Sequence, residues 1–574
     1  MARTPLFRTL SRLLLEGRAA ARAGVPVLEY AERERERRAV SRRRFLAMSA
    51  GAASIPLLAA CGDDGPTGEP PTPTVAIVGG GIAGLHCAYR LKKLGANPTV
   101  YDAGKRLGGR MFTDRTTFPD GMHCELGGEL IDTGHQTMRD LAVELNLELY
   151  DYNDDDPSLS TLVANIGGKN LTDQEILTGF APIAAKIDEA LATLTDQDDL
   201  FVYYNKPNGG EALDALSISA WLDSIGASGD IRDLLEVAYN IEYGLETTEC
   251  NVLNLMFLIS TDTMNLQLFG DSDERYHTKL GNDSFPTLLA KALDPERIEL
   301  ETALQAISED PDGRYTLDFQ TGGSSKQVTA DHVVLALPFT MLRKLDVKLD
   351  LPAAKKSAIA ELGYGTNAKL MAGFSSRPWR EIHKSNGETF TDLPYQATWE
   401  TSRLQPGTSG ILTNFTGGKL GVAVGNGTPE DRMKDFLDQL DGIFPGSKAA
   451  SNGKVARMHW PTSPLILGSY ASYKVGQYTK FAGAEQERFK NVHFCGEHTS
   501  LEAQGYMEGG AATGAMAAAE VAADLGLSAR KAMSAHRTPL AWSPGDRILA
   551  RAQASLTYGG RLRAAAKRAL RKAG

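Results

Sequence analysis

The chain has 574 residues, 42% hydrophobic and 23% charged, the balance of ordinary globular domains rather than of a disordered, collagen-like or many-span membrane protein. The net charge of −10 is unevenly spread: residues 1–60 carry 12 arginines against 5 glutamates, residues 528–574 carry 11 lysines and arginines against Asp546 alone, and residues 61–527 carry −27. A body this acidic argues against a nucleic-acid partner, whose binding rests on cationic contacts to phosphate. It favours encounter with cationic small molecules.

In chain order, the first feature is an address. Ser41-Arg42-Arg43-Arg44-Phe45-Leu46 leads into an uncharged run from Phe45 to Ala60. Sixteen residues fall short of the roughly 20 a spanning helix needs, so residues 1–60 read as a signal region. The arginines resemble a twin-arginine export signal, and Leu58-Ala59-Ala60-Cys61 resembles a lipoprotein cleavage box with Cys61 as the acylated residue. The expected location is the periplasm or an extracytoplasmic membrane face, with the translocase as a partner during export and lipidated Cys61 as the anchor. About forty residues precede the arginines, including the solvated charge-alternating run Glu32 to Arg38, which leaves the start codon open. Residues 61–74, rich in Gly, Pro, Asp and Thr, read as a flexible tether. Cys87, Cys124, Cys250 and Cys495 are widely spaced without a CxxC and read as small buried hydrophobes. His277, His493 and His498 form no ligand spacing, so no metal is expected, and His498 reads as a satisfied buried group.

Val75-Ala76-Ile77-Val78 predicts a strand, Gly79-Gly80-Gly81-Ile82-Ala83-Gly84 a tight turn, and Leu85 to Leu94 a helix. This is a dinucleotide fingerprint. Gly79 serves the turn, Gly81 the approach to pyrophosphate, and Gly84 the packing of helix on strand. Phosphates are expected at the helix N-terminus, where free N–H groups favour anions. A second strand, Pro98 to Tyr101, ends at Asp102, 18 residues past Gly84, placed to accept from ribose hydroxyls. The basic glycine loop that follows, Asp102 to Arg110, suits a large fixed cofactor, with Arg106 or Arg110 neutralising phosphate. Far downstream, Phe494-Cys495-Gly496-Glu497 ends a strand, and Gly505-Tyr506-Met507-Glu508-Gly509-Gly510 opens an Ala-rich helix to about Leu525.

In combination, the first glycine turn, the loop ending Gly108-Gly109-Arg110, Glu125-Leu126-Gly127-Gly128, the strand Val333 to Leu337 closed by Pro338, and the Gly-Glu … Gly-Tyr-Met-Glu-Gly end resemble the flavin-containing amine oxidase family over residues 74–527. The resemblance implies an α/β fold with α+β character. A Rossmann-like FAD-binding domain is assembled from residues 75–145, 270–345 and 455–527, and a mixed substrate domain from 146–269 and 346–454. It further implies non-covalent FAD touched by Gly79, Gly81, Ile82, Ala83 and Gly84 at the pyrophosphate, Asp102 and Ala103 at the ribose, and Arg106, Gly109 and Arg110 beside the phosphates. Gly127, Gly128, Glu129 and Leu130 match a segment passing the flavin ring, Leu304 a backbone adenine contact, and Glu497 the ribityl and diphosphate partner. Gly505, Tyr506 and Met507 match the turn that faces the ring. Export in folded form suits a cofactor loaded during cytoplasmic folding.

The same resemblance marks Lys369 as the lysine that reaches flavin N5 through a water, and Tyr470 and Tyr506 as two aromatics that sandwich an amine. Ser469 stands where animal monoamine oxidases carry the cysteine that bonds flavin, and serine cannot form that thioether. The implied activity is FAD-dependent oxidation of an amine to an imine, hydrolysed to aldehyde and ammonia, with oxygen reduced to hydrogen peroxide. Alternatives are an L-amino-acid oxidase or amide-forming monooxygenase, a flavin dehydrogenase with another acceptor, and a non-catalytic flavin-fold binder. Snake-venom-type amino-acid oxidases place a carboxylate-binding arginine where this chain has Leu130. Glu129 or Asp132 is therefore expected to receive a second ammonium, the other reading being that Glu129 touches ribityl and Asp132 caps the next helix. Leu253 to Phe269 reads as helical substrate-domain core. The tail from Ser528 is a basic, Ala-rich helix candidate. A homodimer is compatible with these residues and not dictated by them.

Overall fold

The computed structural model describes residues 73–197, 199–262 and 267–527. The arginine signal, Cys61, most of the tether and the basic tail lie outside the described residues. Five short strands form one parallel sheet in the spatial order Val492–Phe494, His332–Leu335, Val75–Val78, Thr99–Tyr101, Ile298–Glu299. The central strand Val75–Val78 is wholly buried, as parallel strands covered on both faces must be. The helix expected from Leu85 already begins at Ile82 and runs to Leu94. Gly95 stops it, with a φ of 96° that lets its N–H cap the Leu91 and Lys92 carbonyls.

The C-terminal helix, Met507–Asp524, packs across this first helix. The contact is backbone-close: a Cβ on Gly514 would lie 2.2 Å from the Ala83 carbonyl oxygen, and one on Gly510 2.8 Å from Ile82 Cγ2. A hydrogen bond between His86 Nδ1 and the Ala511 carbonyl spans a sequence separation of 425. Two helix N-termini from opposite ends of the described chain thereby open side by side.

A seven-stranded sheet, Ser451–His459, Ala368–Phe374, Gly410–Thr416, Ala397–Glu400, Thr389–Thr391, Val163–Ile166, Lys169–Asn170 in spatial order, forms the second layer. Its strand Ala368–Phe374 is buried throughout. Alternation sends Leu370, Ala372 and Phe374 into a core shared with Phe436 and Leu440 of the helix Pro429–Ile443. Met371 faces the other way, into a cluster with Phe118, Met122, Cys124 and Leu126. Lys369 shares that second face by period, which brings it to the residues expected near flavin.

Two expected domain boundaries shift. The strand Ser451–His459 runs through the expected break at 454/455 and pairs along its length with Ala368–Phe374, so the substrate-side sheet continues to His459. Asp346–Lys348, placed in the substrate domain, pairs instead with Ala306–Ser308 in a four-stranded sheet on the flavin side. The Leu253–Phe269 segment holds a shorter helix, Val252–Leu258, with all seven residues buried; residues 263–266 lie outside the described residues. Cys87, Cys124, Cys250 and Cys495 are free and buried. No described helix is long and apolar enough to cross a membrane.

Candidate flavin and substrate site

The first helix N-terminus is built to receive an anion. Gly81 caps it with no side-chain cap bond, no acid stands in its first turn, and a Cβ on Gly81 would meet nothing within 4 Å. Gly79 and Gly84 have the opposite environment. Gly79 has φ +111°, and a Cβ on Gly84 would lie 2.0 Å from the Gly79 carbonyl oxygen. Turn, open approach and close packing thus fall to Gly79, Gly81 and Gly84 as the spacing predicts, with Ile82 and Ala83 in the first helical turn. Asp102 shapes the corner as well as facing it: its Oδ2 accepts from Gly80 N–H at 2.6 Å and its Oδ1 from Gly104 N–H at 2.7 Å, around Ala103. Leu304 lies buried in the strand Thr302–Glu309, whose Thr302 N–H donates to the Asp102 carbonyl.

The two arginines of the loop are engaged within the protein. Arg106 donates to the carbonyls of Leu107 and Gly109 and stacks 3.9 Å from the Phe112 ring centroid, so it braces its own loop. Arg110 Nη1 donates to Glu497 Oε1 at 2.6 Å and to the Ser469 carbonyl at 2.8 Å. The other Glu497 oxygen accepts from Gly505 N–H at 2.8 Å. Arg110 and Glu497, expected as separate cofactor contacts, are therefore one ion pair that ties the first segment to the last. Gly127 and Gly128 permit close passage beneath: a Cβ on Gly127 would meet the Arg110 carbonyl oxygen at 1.7 Å, and one on Gly128 would meet Met507 Cγ at 2.6 Å. Asn282, which sequence reasoning missed, fixes this segment by donating to the Gly128 and Glu129 carbonyls. Leu130 follows, half-buried.

Lys369 reaches the segment from below. Its Nζ donates to the Gly127 carbonyl at 2.8 Å, the Glu125 carbonyl at 3.2 Å and Glu129 Oε2 at 2.7 Å, and it lies 5.2 Å from the Trp399 ring centroid. Glu129 Oε1 accepts from Trp399 Nε1 and the Thr401 hydroxyl. Burial alone would raise the Glu129 carboxyl; the Lys369 ammonium, with His277 and Trp399, holds it below the usual range. Glu129 is thus the buried partner of Lys369, with both of its oxygens already accepting hydrogen bonds. Asp132 does not cap the following helix. Glu508 accepts from the Thr137 and Met138 N–H groups, whereas Asp132 accepts from Glu274 N–H and pairs with His135. His498 also departs from expectation: both ring nitrogens are buried without a hydrogen-bond partner, the ring lies edge-on to Phe339, and burial first, then Arg110, holds its pKa well below the usual value.

Tyr470 and Tyr506 converge on a residue the sequence reading did not single out. Tyr470 donates to the Glu242 backbone carbonyl at 2.7 Å, and Tyr506 donates to Glu242 Oε1 at 3.0 Å. Glu242 sits in the last turn of the helix Asp230–Tyr243, so Tyr470 also satisfies a carbonyl at the helix end. Gly505, with φ +91°, leaves room for the Tyr470 ring 3.3 Å from where its Cβ would stand. Burial, reinforced by Asp132, pushes the Glu242 carboxyl up to about 7. Burial also raises Glu274, near Glu388, Asp132 and Glu242, and it raises Glu388 despite Arg403. Glu242, Glu388, Tyr152 and Tyr470 are half-buried and Glu274 is exposed. Arg403 stands over Tyr152 at 4.6 Å, and its Nε, 3.7 Å from Asp155 Oδ2, makes no hydrogen bond. No local pattern announces these residues, because they come from unconnected segments.

The comparisons agree with this geometry. Residues 82–522 match the family described as flavin containing amine oxidoreductase. An L-amino-acid oxidase of Siganus canaliculatus is 25% identical over 448 residues, spanning 74% of this chain and 81% of its own. A flavin-containing amine oxidase of Oncorhynchus mykiss is 22% identical over 466 residues, spanning 79% of this chain and 86% of its own. Among solved structures, cyclohexylamine oxidase from Brevibacterium oxydans superposes with a TM-score of 0.69 at 23% identity, covering 79% of this chain and all of that one. Putrescine oxidase bound to putrescine gives 0.68 at 20% identity, covering 79% and 99%. The paired helix N-termini, the open Gly81 and the Arg110–Glu497 tie fit FAD, and the chain belongs to the flavin-containing amine oxidoreductase family as an FAD-dependent enzyme.

Proposed function

We propose that this enzyme oxidises a small-molecule amine to an imine, which hydrolyses to aldehyde and ammonia, while oxygen is reduced to hydrogen peroxide. The observation that carries the reading is the meeting of Tyr470 and Tyr506 on Glu242, with the carboxyl of Glu274 close enough to feel Glu242 and Glu388. FAD, when bound, accepts the two electrons taken from the substrate. The two tyrosine rings supply flat apolar walls and electron-rich faces for an amine. The Glu242 carboxylate attracts the ammonium ion, and an oxygen with pKa about 7 takes its proton near neutral pH, freeing the nitrogen lone pair. Lys369, fixed by two carbonyls and Glu129, sets a positive charge where negative charge develops.

Oxygen-uptake and peroxide assays with an amine panel, repeated with an artificial electron acceptor, test this function. Turnover with oxygen alone supports an oxidase; turnover only with the acceptor marks a dehydrogenase. One observation favours a second reading: the Nε of Arg403 makes no hydrogen bond and only a 3.7 Å ion-pair contact with Asp155 Oδ2. That guanidinium could clamp an α-carboxylate and supply what Leu130 does not, which would make the enzyme an L-amino-acid oxidase. The acids near Glu242 favour the amine. We also propose twin-arginine export and a lipid tether at Cys61, on the order of arginines, apolar run and cysteine in the sequence.

A further inference from the structure

His332 opens the strand His332–Leu335, and His493 lies in the adjacent parallel strand Val492–Phe494. The register pairs Val334 with His493. His493 therefore shares a sheet face with Val334 and, two residues back, with His332. The rings stack with centroids 5.9 Å apart. The C-terminal helix, Met507–Asp524, packs near this strand and carries Glu520 and Asp524 four residues apart, on one face. Asp524 Oδ2 lies 3.9 Å from His332 Nδ1 and 3.7 Å from His493 Nε2. Both distances are too long for hydrogen bonds.

The two histidines are buried, His332 at 6% exposure and His493 at 0%, and these two nitrogens have no hydrogen-bond partner. Leaving such atoms unpaired is costly, and here two of them face one carboxylate oxygen. Around an ion with bonds of about 2.1 Å, tetrahedral ligand atoms stand about 3.4 Å apart; the three atoms here lie within 4.8 Å of one another, so the side chains must draw together around the ion. The other His493 nitrogen, Nδ1, is bonded to Glu520 Oε2 at 2.7 Å. A carboxylate on the far nitrogen is the arrangement that fixes the ring and tautomer of a metal-binding histidine. Asp524 is the accessible member, with its side chain 26% exposed, so an ion has a route in. Arg488 Nη1 lies 2.8 Å from the same Asp524 oxygen and is the cation that an entering ion displaces.

We propose that His332 Nδ1, His493 Nε2 and Asp524 Oδ2 form a binding site for a divalent transition cation of the zinc type, with Glu520 as a positioning residue and water as the fourth ligand. The ion would pin the end of the C-terminal helix to the strands that carry the flavin-side sheet. A second histidine–carboxylate group, His123, Glu125 and His277, is a weaker candidate. There Glu125 Oε1 already accepts from His277 and the Asn282 N–H, and Oε2 accepts from the Thr113 hydroxyl.

The test uses the full-length, flavin-loaded protein after chelator treatment, titrated with Zn2+ by calorimetry and with Co2+ by visible absorption. One equivalent should bind, with the intense visible bands of tetrahedral Co2+, and Zn2+ should raise the melting temperature. Asp524→Asn, at an accessible position, should weaken binding at least tenfold and abolish the bands with flavin absorbance unchanged. His332→Gln should do the same, and Glu520→Gln should weaken binding about tenfold. Absence of a one-to-one complex, or binding that Asp524→Asn and His332→Gln both leave intact, overturns the proposal.

Discussion

Lys369 and Glu129 form a buried pair in which each charge depends on the other. Lys369→Met leaves the Glu129 carboxylate buried without its cation, a loss of about 3–5 kcal/mol. Calorimetric melting should show that loss, and restoring neutrality with Glu129→Gln in the same chain should recover most of it. The double variant should still turn over at least about tenfold more slowly, equivalent to about 1.4 kcal/mol of barrier; recovery of full turnover would make Lys369 structural alone. Glu242 gives a pH prediction. Its carboxyl is raised to about 7, and as a base it works when deprotonated. kcat/KM should therefore rise through pH 7 and fall above the substrate ammonium pKa, roughly 10.4 for an aliphatic amine, where the ammonium that Glu242 receives is lost. In Glu242→Gln the rise through pH 7 should vanish. Lys369 and both tyrosines were marked in the sequence by the family resemblance, because each sits in a local motif. Glu242 was not, since its helix DIRDLLEVAYNIEY reads only as amphipathic and its partners lie more than 200 residues away.

The two cofactor-side helices meet through glycine. Gly514→Ala would set a methyl 2.2 Å from the Ala83 carbonyl oxygen. That overpacking costs about 1–3 kcal/mol, more than the roughly 1 kcal/mol that alanine gains in a helix. Gly442, in the helix Pro429–Ile443, is the control: nothing stands within 4 Å of its Cβ, so Gly442→Ala should raise the melting temperature while Gly514→Ala lowers it and weakens FAD retention. The strand Val75–Val78 and the helix after it could be read from sequence because the glycine turn punctuates them. The ends of the substrate sheet could not. Ser451–His459 has the polar pattern of a partly exposed strand, and only its pairing with Ala368–Phe374 assigns it to that sheet.

The whole molecule draws its flavin side from both ends of the described chain, closed by Arg110–Glu497 and by the two packed helices. Such a fold is completed only when the last segment is made, which suits a route that carries folded proteins. Replacing Arg42 and Arg43 together with lysine should retain active, flavin-loaded enzyme in the cytoplasm by fractionation, and normal export of that variant would refute the signal. The proposed function is oxidation of an amine held by Tyr470, Tyr506 and Glu242. Its most direct test is anaerobic bleaching of the bound flavin by matched pairs: tyramine with tyrosine, phenylethylamine with phenylalanine, and cadaverine with lysine. The acids around Glu242 predict that each amine reduces the flavin at least about tenfold more efficiently than its amino acid, a difference of about 1.4 kcal/mol. Faster reduction by the amino acid in every pair would contradict the account and assign Arg403 as the carboxylate clamp.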